Sequence, residues 1–217
     1  IVIADSYPRT KTQQLPPSRF CLNDTGFVRG FVTMSSTNQL FAACKAGNVN
    51  NTGRLLATLT DINLNTIKWS ISIRRSGGLT LLTLASGEGH AEICQMLLDK
   101  GANVNQRSEG MKLGEGSTEG ITPLIYACRK GRLNTVNVLL AVDGIEVNYR
   151  KVNGSTALYT SCYRGHLKVV EKLLAVGDIQ VNQAAGNNGT TPLWIASGNG
   201  HLKVVEMLLA VDDIQVN

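Results

Sequence analysis

Apolar residues along the chain recur in short, closely spaced groups rather than in long runs. Val169, Val170, Leu173 and Leu174 recur at spacings of three and four, which places them on one face of a helix of about ten residues. A helix that is so short and apolar on one side is not stable alone, so this face has to be buried against a neighbouring element. The pattern predicts short amphipathic helices that share a core.

The same pattern returns five times when the chain is aligned on a central glycine. The aligned residues are Gly47, Gly89, Gly131, Gly165 and Gly200, at separations of 42, 42, 34 and 35 residues. The last two separations are close to a period of about 33 residues, and the first two contain insertions of about nine residues. A fixed period of this length predicts a solenoid in which each unit packs against its neighbours.

Each unit also carries signals for the start and the end of its first helix. The pairs Thr122-Pro123 and Thr191-Pro192 place a capping residue before a proline that loses no amide donor at the first helical position. The aligned glycines Gly131, Gly165 and Gly200 are predicted to end that helix in a left-handed turn. Between the units, Asn153-Gly154 and Asn188-Gly189 predict tight turns.

These segments resemble the ankyrin family, whose repeats carry a TPLHxA signature followed by GH, by LL and by a GA-x-V-N close. TPLIYA at 122–127 and TPLWIA at 191–196 match the signature, although its His is replaced by Thr83, Ile125, Tyr159 and Trp194. The resemblance implies an all-α solenoid of stacked helix-turn-helix units with β-turn or hairpin fingers. The repeats are expected over about 38–65, 78–105, 119–148, 153–182 and 188–217.

The repeat pattern divides the chain into two parts. Residues 1–35 form a non-repeat segment that is predicted to be disordered or not native, and residues 36–217 form the repeat domain. The first methionine is Met34, directly before the first helical pattern, and we hypothesise that translation begins there. Insertions at about 66–77 and 106–118 are expected to lengthen two fingers, and the second is Gly-rich and polar enough to be mobile.

Composition and charge narrow the classes of function. A hydrophobic content of 43% with 17% charged residues is typical of a folded protein, and no apolar run approaches the roughly 18 residues of a membrane helix. The formal net charge of +5 favours acidic partners but lacks the dense Lys/Arg blocks of nucleic-acid tails. The five cysteines form no CxxC pair, which favours a reducing intracellular compartment, cytoplasmic or nuclear.

Histidines and cysteines are the candidates for chemistry, and each group has a structural explanation. His90, His166 and His201 occupy one repeat position on helices expected about 8–10 Å apart, whereas metal ligands lie about 2 Å from a shared ion. Cys44 and two further cysteines share a slot that holds serine in other repeats, and that slot requires a small buried side chain. We therefore expect neither a metal site nor a catalytic thiol, no cofactor, and no enzymatic activity.

The resemblance also implies where a partner would bind. In the ankyrin family an exposed column on the first helices lines the concave face and, with the finger tips, makes most contacts with partners. The corresponding column here is Lys45, Leu84, Glu88, Tyr126, Arg129, Lys130, Thr160, Tyr163, Arg164, Ile195, Gly198 and Asn199. Tyr126, Arg129, Tyr163 and Arg164 are the predicted hot spot, because Tyr and Arg are enriched among residues that carry interface energy. Finger residues form a secondary set, namely Glu119, Ile121, Asn153, Ser155, Asn188 and Thr190.

Three classes of function remain open at this point. The leading hypothesis is a non-enzymatic scaffold or adaptor that binds a folded protein or an extended peptide through the concave face. The second is the ankyrin segment of a larger enzyme, channel or regulatory protein, because Val205, Leu208 and Leu209 continue the apolar stripe in the last repeat without a polar capping repeat. The third is RNA or nucleotide binding, since a Tyr/Arg/Lys column can stack bases and contact phosphates, although the modest net charge disfavours it.

Overall fold

Ten helices and one short hairpin make up the regular structure of the described residues. The structure is a computed structural model, and it describes residues 34–59, 63–69, 78–109, 120–186 and 188–216. In chain order the elements are α1 (Met34–Ala46), α2 (Val49–Thr58), β1 (Lys68–Trp69), β2 (Leu79–Thr80), α3 (Leu81–Glu88), α4 (Ala91–Asp99), α5 (Pro123–Arg129), α6 (Leu133–Leu140), α7 (Ala157–Arg164), α8 (Leu167–Leu174), α9 (Pro192–Gly198) and α10 (Leu202–Leu209). The predicted all-α architecture of helix pairs is confirmed.

The helices form five pairs that stack in a row of two layers. The first helix of each pair contacts the first helices of the neighbouring pairs, from α1 through α3, α5 and α7 to α9. The second helices form a parallel layer from α2 through α4, α6 and α8 to α10. Each unit therefore buries its apolar stripe against its own partner helix and the next unit, as expected for a solenoid.

The predicted helix boundaries are confirmed. In the second to fifth repeats a threonine precedes the first helix, and its hydroxyl oxygen accepts a hydrogen bond from the amide three residues later. These caps are Thr80, Thr122, Thr156 and Thr191. At the other end Gly131 has φ 68° and Gly200 has φ 72°, in the left-handed region that favours glycine. The first helices are consequently only seven or eight residues long in these repeats.

The core runs between the two layers without interruption. Leu158 from a first helix and Leu139 and Leu173 from second helices are fully buried. The predicted stripe on α8 is buried at Val169, Val170 and Leu173, and half-buried at Leu174. Cys44, Cys128 and Cys162 are unpaired and buried, as their shared slot predicts, and Cys94 on α4 is also unpaired and buried.

The last described repeat exposes apolar side chains that earlier repeats cover. Leu208 is buried and Val205 half-buried, whereas Leu209 is 50% exposed and Trp194 60% exposed. Trp194 stands at the position of Ile125, which is buried because α7 packs beside α5. The exposure follows from packing on one side only, since no described repeat lies beyond α10.

The histidines connect successive repeats. Each one stands at the start of a second helix, and its ring donates a hydrogen bond from Nε2 to a carbonyl oxygen of the preceding repeat instead of capping its own helix. The pairs are His90 to Lys45 at 3.1 Å, His166 to Arg129 at 3.2 Å and His201 to Tyr163 at 3.1 Å. In the third repeat Arg132 takes this place, and its Nε donates to the carbonyl of Gly87 at 3.1 Å.

A ladder of asparagines joins the loops that follow the second helices. Asn148 donates from its side-chain amide to the carbonyl of Asp178 at 2.7 Å and accepts from the amide of Gln180 at 2.9 Å. Asn65, Asn105 and Asn182 make the same pair of hydrogen bonds to the loop of the following repeat. Neighbouring repeats are thus joined by hydrogen bonds from asparagine side chains to backbone groups at the loops and by the histidine contacts at the starts of the second helices.

Two of the earlier expectations fall largely outside the described residues. Of the N-terminal segment 1–35, residues 1–33 are not described, and α1 begins at Met34. Residues 70–77 of the first insertion and 110–118 of the second are also not described. The base of the first is closed by the β1–β2 pairing, and the base of the second by hydrogen bonds between Ser108 and the segment Gly120–Ile121. None of the described helices is long and apolar enough to cross a membrane.

Candidate binding site

A pocket of about 310 Å³ opens between the first helix of the fourth repeat and the fingers on either side of it. We call it the fourth-repeat pocket. It is lined from α7 by Tyr159, Thr160, Tyr163 and Arg164, from the preceding finger by Lys151, Asn153 and Ser155, from the following finger by Ala185, Gly186 and Thr190, and from the end of α5 by Arg129. Three successive repeats therefore contribute to one concave site.

The pocket brings together residues from both predicted sets. From the helical column it contains Arg129, Thr160, Tyr163 and Arg164, and from the finger set it contains Asn153, Ser155 and Thr190. Sequence reasoning missed Lys151, Tyr159, Ala185 and Gly186. Lys151 could have been found from its place beside the Asn-Gly turn, and Tyr159 from its replacement of the signature histidine.

The two fingers are joined by a backbone hydrogen bond and by a hydrogen bond from an arginine side chain. The amide of Gly186 donates to the carbonyl of Asn153 at 2.9 Å, and Ala185 and Thr190 close the following finger by exchanging two backbone hydrogen bonds. The guanidinium of Arg150 donates to the carbonyl of Ala184 at 3.0 Å. These contacts set the spacing of the two walls before any partner arrives.

One hydroxyl pair ties the helix to the following finger. The side-chain oxygen of Thr190 donates to the carbonyl of Ala185 at 3.1 Å and lies 3.2 Å from the hydroxyl of Tyr159. Because the single proton of Thr190 is directed at that carbonyl, the hydroxyl of Tyr159 is the donor between the two side chains. The ring of Tyr159 is thereby held in a fixed orientation against the pocket.

Three basic residues contribute to the lining of the pocket. Arg129, Lys151 and Arg164 are cationic, and none of the described lining residues is acidic. Burial, and then the nearby charge of Arg129, lowers the pKa of the Lys151 ammonium below its usual value. The guanidinium of Arg164 lies 5.2 Å from the ring centroid of Tyr163, a side chain that is 44% exposed.

The expectation of an exposed column is wrong at Tyr126 and Leu84. Tyr126 is only 7% exposed, because Gly87 leaves room for its ring on the preceding first helix. Burial, followed by the charge of Glu88, raises the pKa of its hydroxyl. Leu84 is 4% exposed and belongs to the core. Tyr126 is therefore not an exposed member of the predicted hot spot.

Two finger residues are also buried rather than exposed. Ile121 is fully buried, because its backbone pairs with Ser108 and its side chain enters the core just before the Thr122 cap. Ser155 is 4% exposed, since its amide is bound to the side chain of Asn153 and its carbonyl to the amide of Lys151. Ser155 nevertheless contributes to the wall of the pocket.

The other predicted residues do not line the fourth-repeat pocket. Lys45, Lys130, Asn188, Gly198 and Asn199 are exposed and Ile195 is half-buried, whereas Glu119 lies outside the described residues. The ammonium of Lys130 lies 5.9 Å from the ring centroid of Tyr126. Glu88 borders a separate concavity of about 270 Å³ beside Arg132. Within the described ranges no group of three or more His, Cys, Asp or Glu side chains is placed to hold a metal ion.

The comparison with known families agrees with the stacked helix pairs. A family model described as ankyrin repeats (3 copies) matches residues 21–108, 40–151 and 144–217. No curated relative matches the sequence. Ankyrin repeats are in general protein–protein interaction modules and are typically non-catalytic. With matches that together extend from residue 21 to residue 217, the chain belongs to the ankyrin-repeat family.

Proposed function

We propose that this protein is a non-enzymatic scaffold that binds a protein partner at the fourth-repeat pocket and the first-helix surface around it. The observation that carries the proposal is the convergence of Arg129, Tyr163 and Arg164 with finger residues in one concave site. Tyr and Arg carry interface energy disproportionately when they surround a pocket that excludes water. The pocket lies at the low end of the range of about 300–1,000 Å³ for ligand sites, which suits a side chain of a partner rather than a large cofactor.

An acidic partner is favoured by the charge of the site. Arg129, Lys151 and Arg164 line the pocket, and the chain as a whole carries a formal net charge of +5. Complementary charge speeds the encounter and selects partners, and its effect is reduced by salt. We place the protein inside the cell, in the cytoplasm or nucleus, and its four described free thiols support this location.

A nucleic acid fits the site less well. Base stacking needs exposed aromatic faces, but Tyr126 is buried against Gly87 and one face of Tyr163 is next to the guanidinium of Arg164. The aromatic surface that the fourth-repeat pocket offers a single strand is therefore small, and the exposed Trp194 does not line this pocket. A polypeptide segment needs no such platform, since its side chains enter pockets while its backbone follows the groove.

The test is affinity purification with wild type and with the double variant Tyr163→Ala, Arg164→Ala, followed by mass spectrometry. Recovery of partners is expected to fall at least about tenfold, because hot-spot truncation commonly costs 2 kcal/mol or more. Stability should change little, since the carbonyl of Tyr163 that binds His201 is retained. The control is Asn137→Ala with Lys172→Ala, which changes exposed residues on the second helices and also removes one positive charge. Equal recovery by the two double variants would refute the site.

A further inference from the structure

We propose that Asn188 is a site of spontaneous modification, at which the side chain cyclises with the backbone of Gly189 and is converted to isoaspartate or aspartate. The chain contains three Asn-Gly pairs, at 153–154, 188–189 and 199–200. Glycine favours this reaction because it has no side chain to obstruct the attack and leaves the backbone free to rotate. The hydrogen bonds around the three pairs differ, and they leave the second pair able to react fastest in the folded chain.

The reaction needs water and no other reagent. The backbone nitrogen of Gly189 loses its proton and attacks the side-chain carbonyl carbon of Asn188, so that a new C–N bond closes a succinimide ring. The side-chain nitrogen leaves as ammonia and takes up the proton. Water then opens the ring at one of its two C–N bonds. Opening at the side-chain carbonyl gives aspartate, and opening at the backbone carbonyl gives isoaspartate, in which the chain continues through the former side chain.

The pair Asn153-Gly154 is held by hydrogen bonds at each group that has to react. The amide of Gly154 donates to the carbonyl of Lys151 at 2.7 Å, and the side-chain oxygen of Asn153 accepts from the amide of Ser155 at 3.1 Å. The carbonyl of Asn153 also accepts from the amide of Gly186 at 2.9 Å. The ring can close only after these hydrogen bonds are broken, which raises the barrier.

The pair Asn199-Gly200 is exposed but equally restrained, at the end of α9. The amide of Gly200 donates to the carbonyl of Ser197 at 3.0 Å. The side-chain amide of Asn199 donates to the carbonyl of Ile195 at 2.7 Å, and its backbone amide donates to the same carbonyl at 3.2 Å. Exposure alone therefore does not make an Asn-Gly pair reactive in this fold.

The pair Asn188-Gly189 has none of these restraints. Both residues are exposed, and in the described part of the chain neither the side chain of Asn188 nor the amide of Gly189 has a hydrogen-bond partner. A β-carbon on Gly189 would have nothing within 4 Å, so the turn has room to rotate. The amide proton is open to solvent, and little local structure has to be lost before the ring closes.

The modified residue would lie in the turn of a finger that borders the fourth-repeat pocket. Ala185 and Thr190 close this turn by exchanging backbone hydrogen bonds of 2.8 and 3.2 Å. Isoaspartate adds one carbon atom to the backbone between these two partners, so their pairing has to adjust. The hydroxyl of Thr190 lies 3.2 Å from that of Tyr159, and both residues line the pocket. Modification of Asn188 thus alters one wall of the candidate binding site.

The first experiment incubates the whole chain near neutral pH and follows the three Asn-Gly pairs over time by peptide mapping with mass spectrometry. Conversion at Asn188 is expected to be at least about tenfold faster than at Asn153 or Asn199, because each of these has to lose more than one hydrogen bond first. The same incubation in urea removes this protection, so the three rates should become similar. Equal rates in the folded chain, or an unchanged ranking in urea, would overturn the proposal.

The second experiment tests the effect on the finger. After incubation, the amide resonances of Ala185 and Thr190 should shift in the modified wild-type chain. Asn188→Gln should keep its starting spectrum under the same treatment, because its longer side chain cyclises far more slowly. Asn188→Asp adds the carboxylate without lengthening the backbone, so it should shift these resonances less than isoaspartate does. Unshifted resonances in the isoaspartate-containing chain, or shifts equal to those of Asn188→Asp, would overturn the effect on the finger.

Discussion

The imidazole ring of His166 lies over Gly131, in the space that a β-carbon on that glycine would occupy. The Cε1 and Nδ1 atoms of the ring are each 2.8 Å from the position of such a carbon. The same ring donates from Nε2 to the carbonyl of Arg129 at 3.2 Å. Gly131 also has φ 68°, so this position requires glycine both for its backbone conformation and for the close approach of the next repeat.

Gly131→Ala is therefore expected to destabilise the protein more than the left-handed backbone alone would. The φ penalty is about 1 kcal/mol, and displacement of the His166 ring adds the loss of a hydrogen bond worth about 1 kcal/mol together with lost packing. Gly200→Ala is the matched control, since Gly200 has φ 72° and nothing within 4 Å of its β-carbon position. Chemical denaturation should give a loss of about 2–4 kcal/mol for the first variant and about 1 kcal/mol for the second. Equal losses would show that the ring contact contributes nothing.

The asparagine ladder predicts that replacing an asparagine with alanine lowers the free energy of unfolding only where the asparagine joins two repeats. Asn148→Ala removes the hydrogen bonds to the carbonyl of Asp178 and the amide of Gln180, and it should lower the free energy of unfolding by about 1–2 kcal/mol. Asn137→Ala changes the same residue type at an exposed position on α6 and should be neutral or slightly stabilising, because alanine favours helix. Hydrogen exchange should also show faster opening between the third and fourth repeats in Asn148→Ala. An unchanged exchange pattern would argue against a role of the ladder in joining repeats.

Much of the architecture could be predicted because its determinants are local. Thr122 followed by Pro123 specifies a helix start, and the apolar spacing on α8 specifies one buried face, whatever the neighbouring repeats contain. The burial of Tyr126 could not be predicted in this way. It depends on Gly87 in the preceding repeat, where any larger residue would force the ring outward.

The binding site, too, could be predicted only where its residues follow from the pattern within one repeat. Helical spacing alone places Thr160, Tyr163 and Arg164 on one surface, and the structure brings them into the pocket. Lys151 and Tyr159 join them only because the fingers turn back over the first helix and are fixed there by hydrogen bonds between successive fingers. Sequence signals within one repeat can mark Lys151 and Tyr159 as candidates, but they do not show that the two residues meet in one pocket with residues of neighbouring repeats.

The buried thiols predict a loss of stability at alkaline pH. Burial raises the pKa of Cys162 from 9.0 to about 12, whereas in the unfolded chain the thiol ionises near its ordinary value. Since the native state keeps the proton and the unfolded state releases it, the free energy of unfolding falls as pH rises from about 9 toward 12. Cys162→Ala removes this group, so above pH 9 wild type should lose about 1.4 kcal/mol per pH unit relative to the variant. Parallel pH profiles of the two proteins, measured by urea unfolding, would refute this account.

Thr135 is a position where a single change should stabilise the protein. Its side chain is fully buried at the start of α6, and its hydroxyl oxygen has no hydrogen-bond partner among the described residues. The equivalent positions in other repeats hold Ile93, Val169 and Val204, all buried. Thr135→Val keeps the shape and removes an unpaired polar group, so the free energy of unfolding should rise by about 1 kcal/mol. The reverse substitution in the next repeat, Val169→Thr, should lower it by about the same amount or more. A loss of stability in both variants would contradict this prediction, because it would show that the hydroxyl of Thr135 makes a stabilising interaction in the native state.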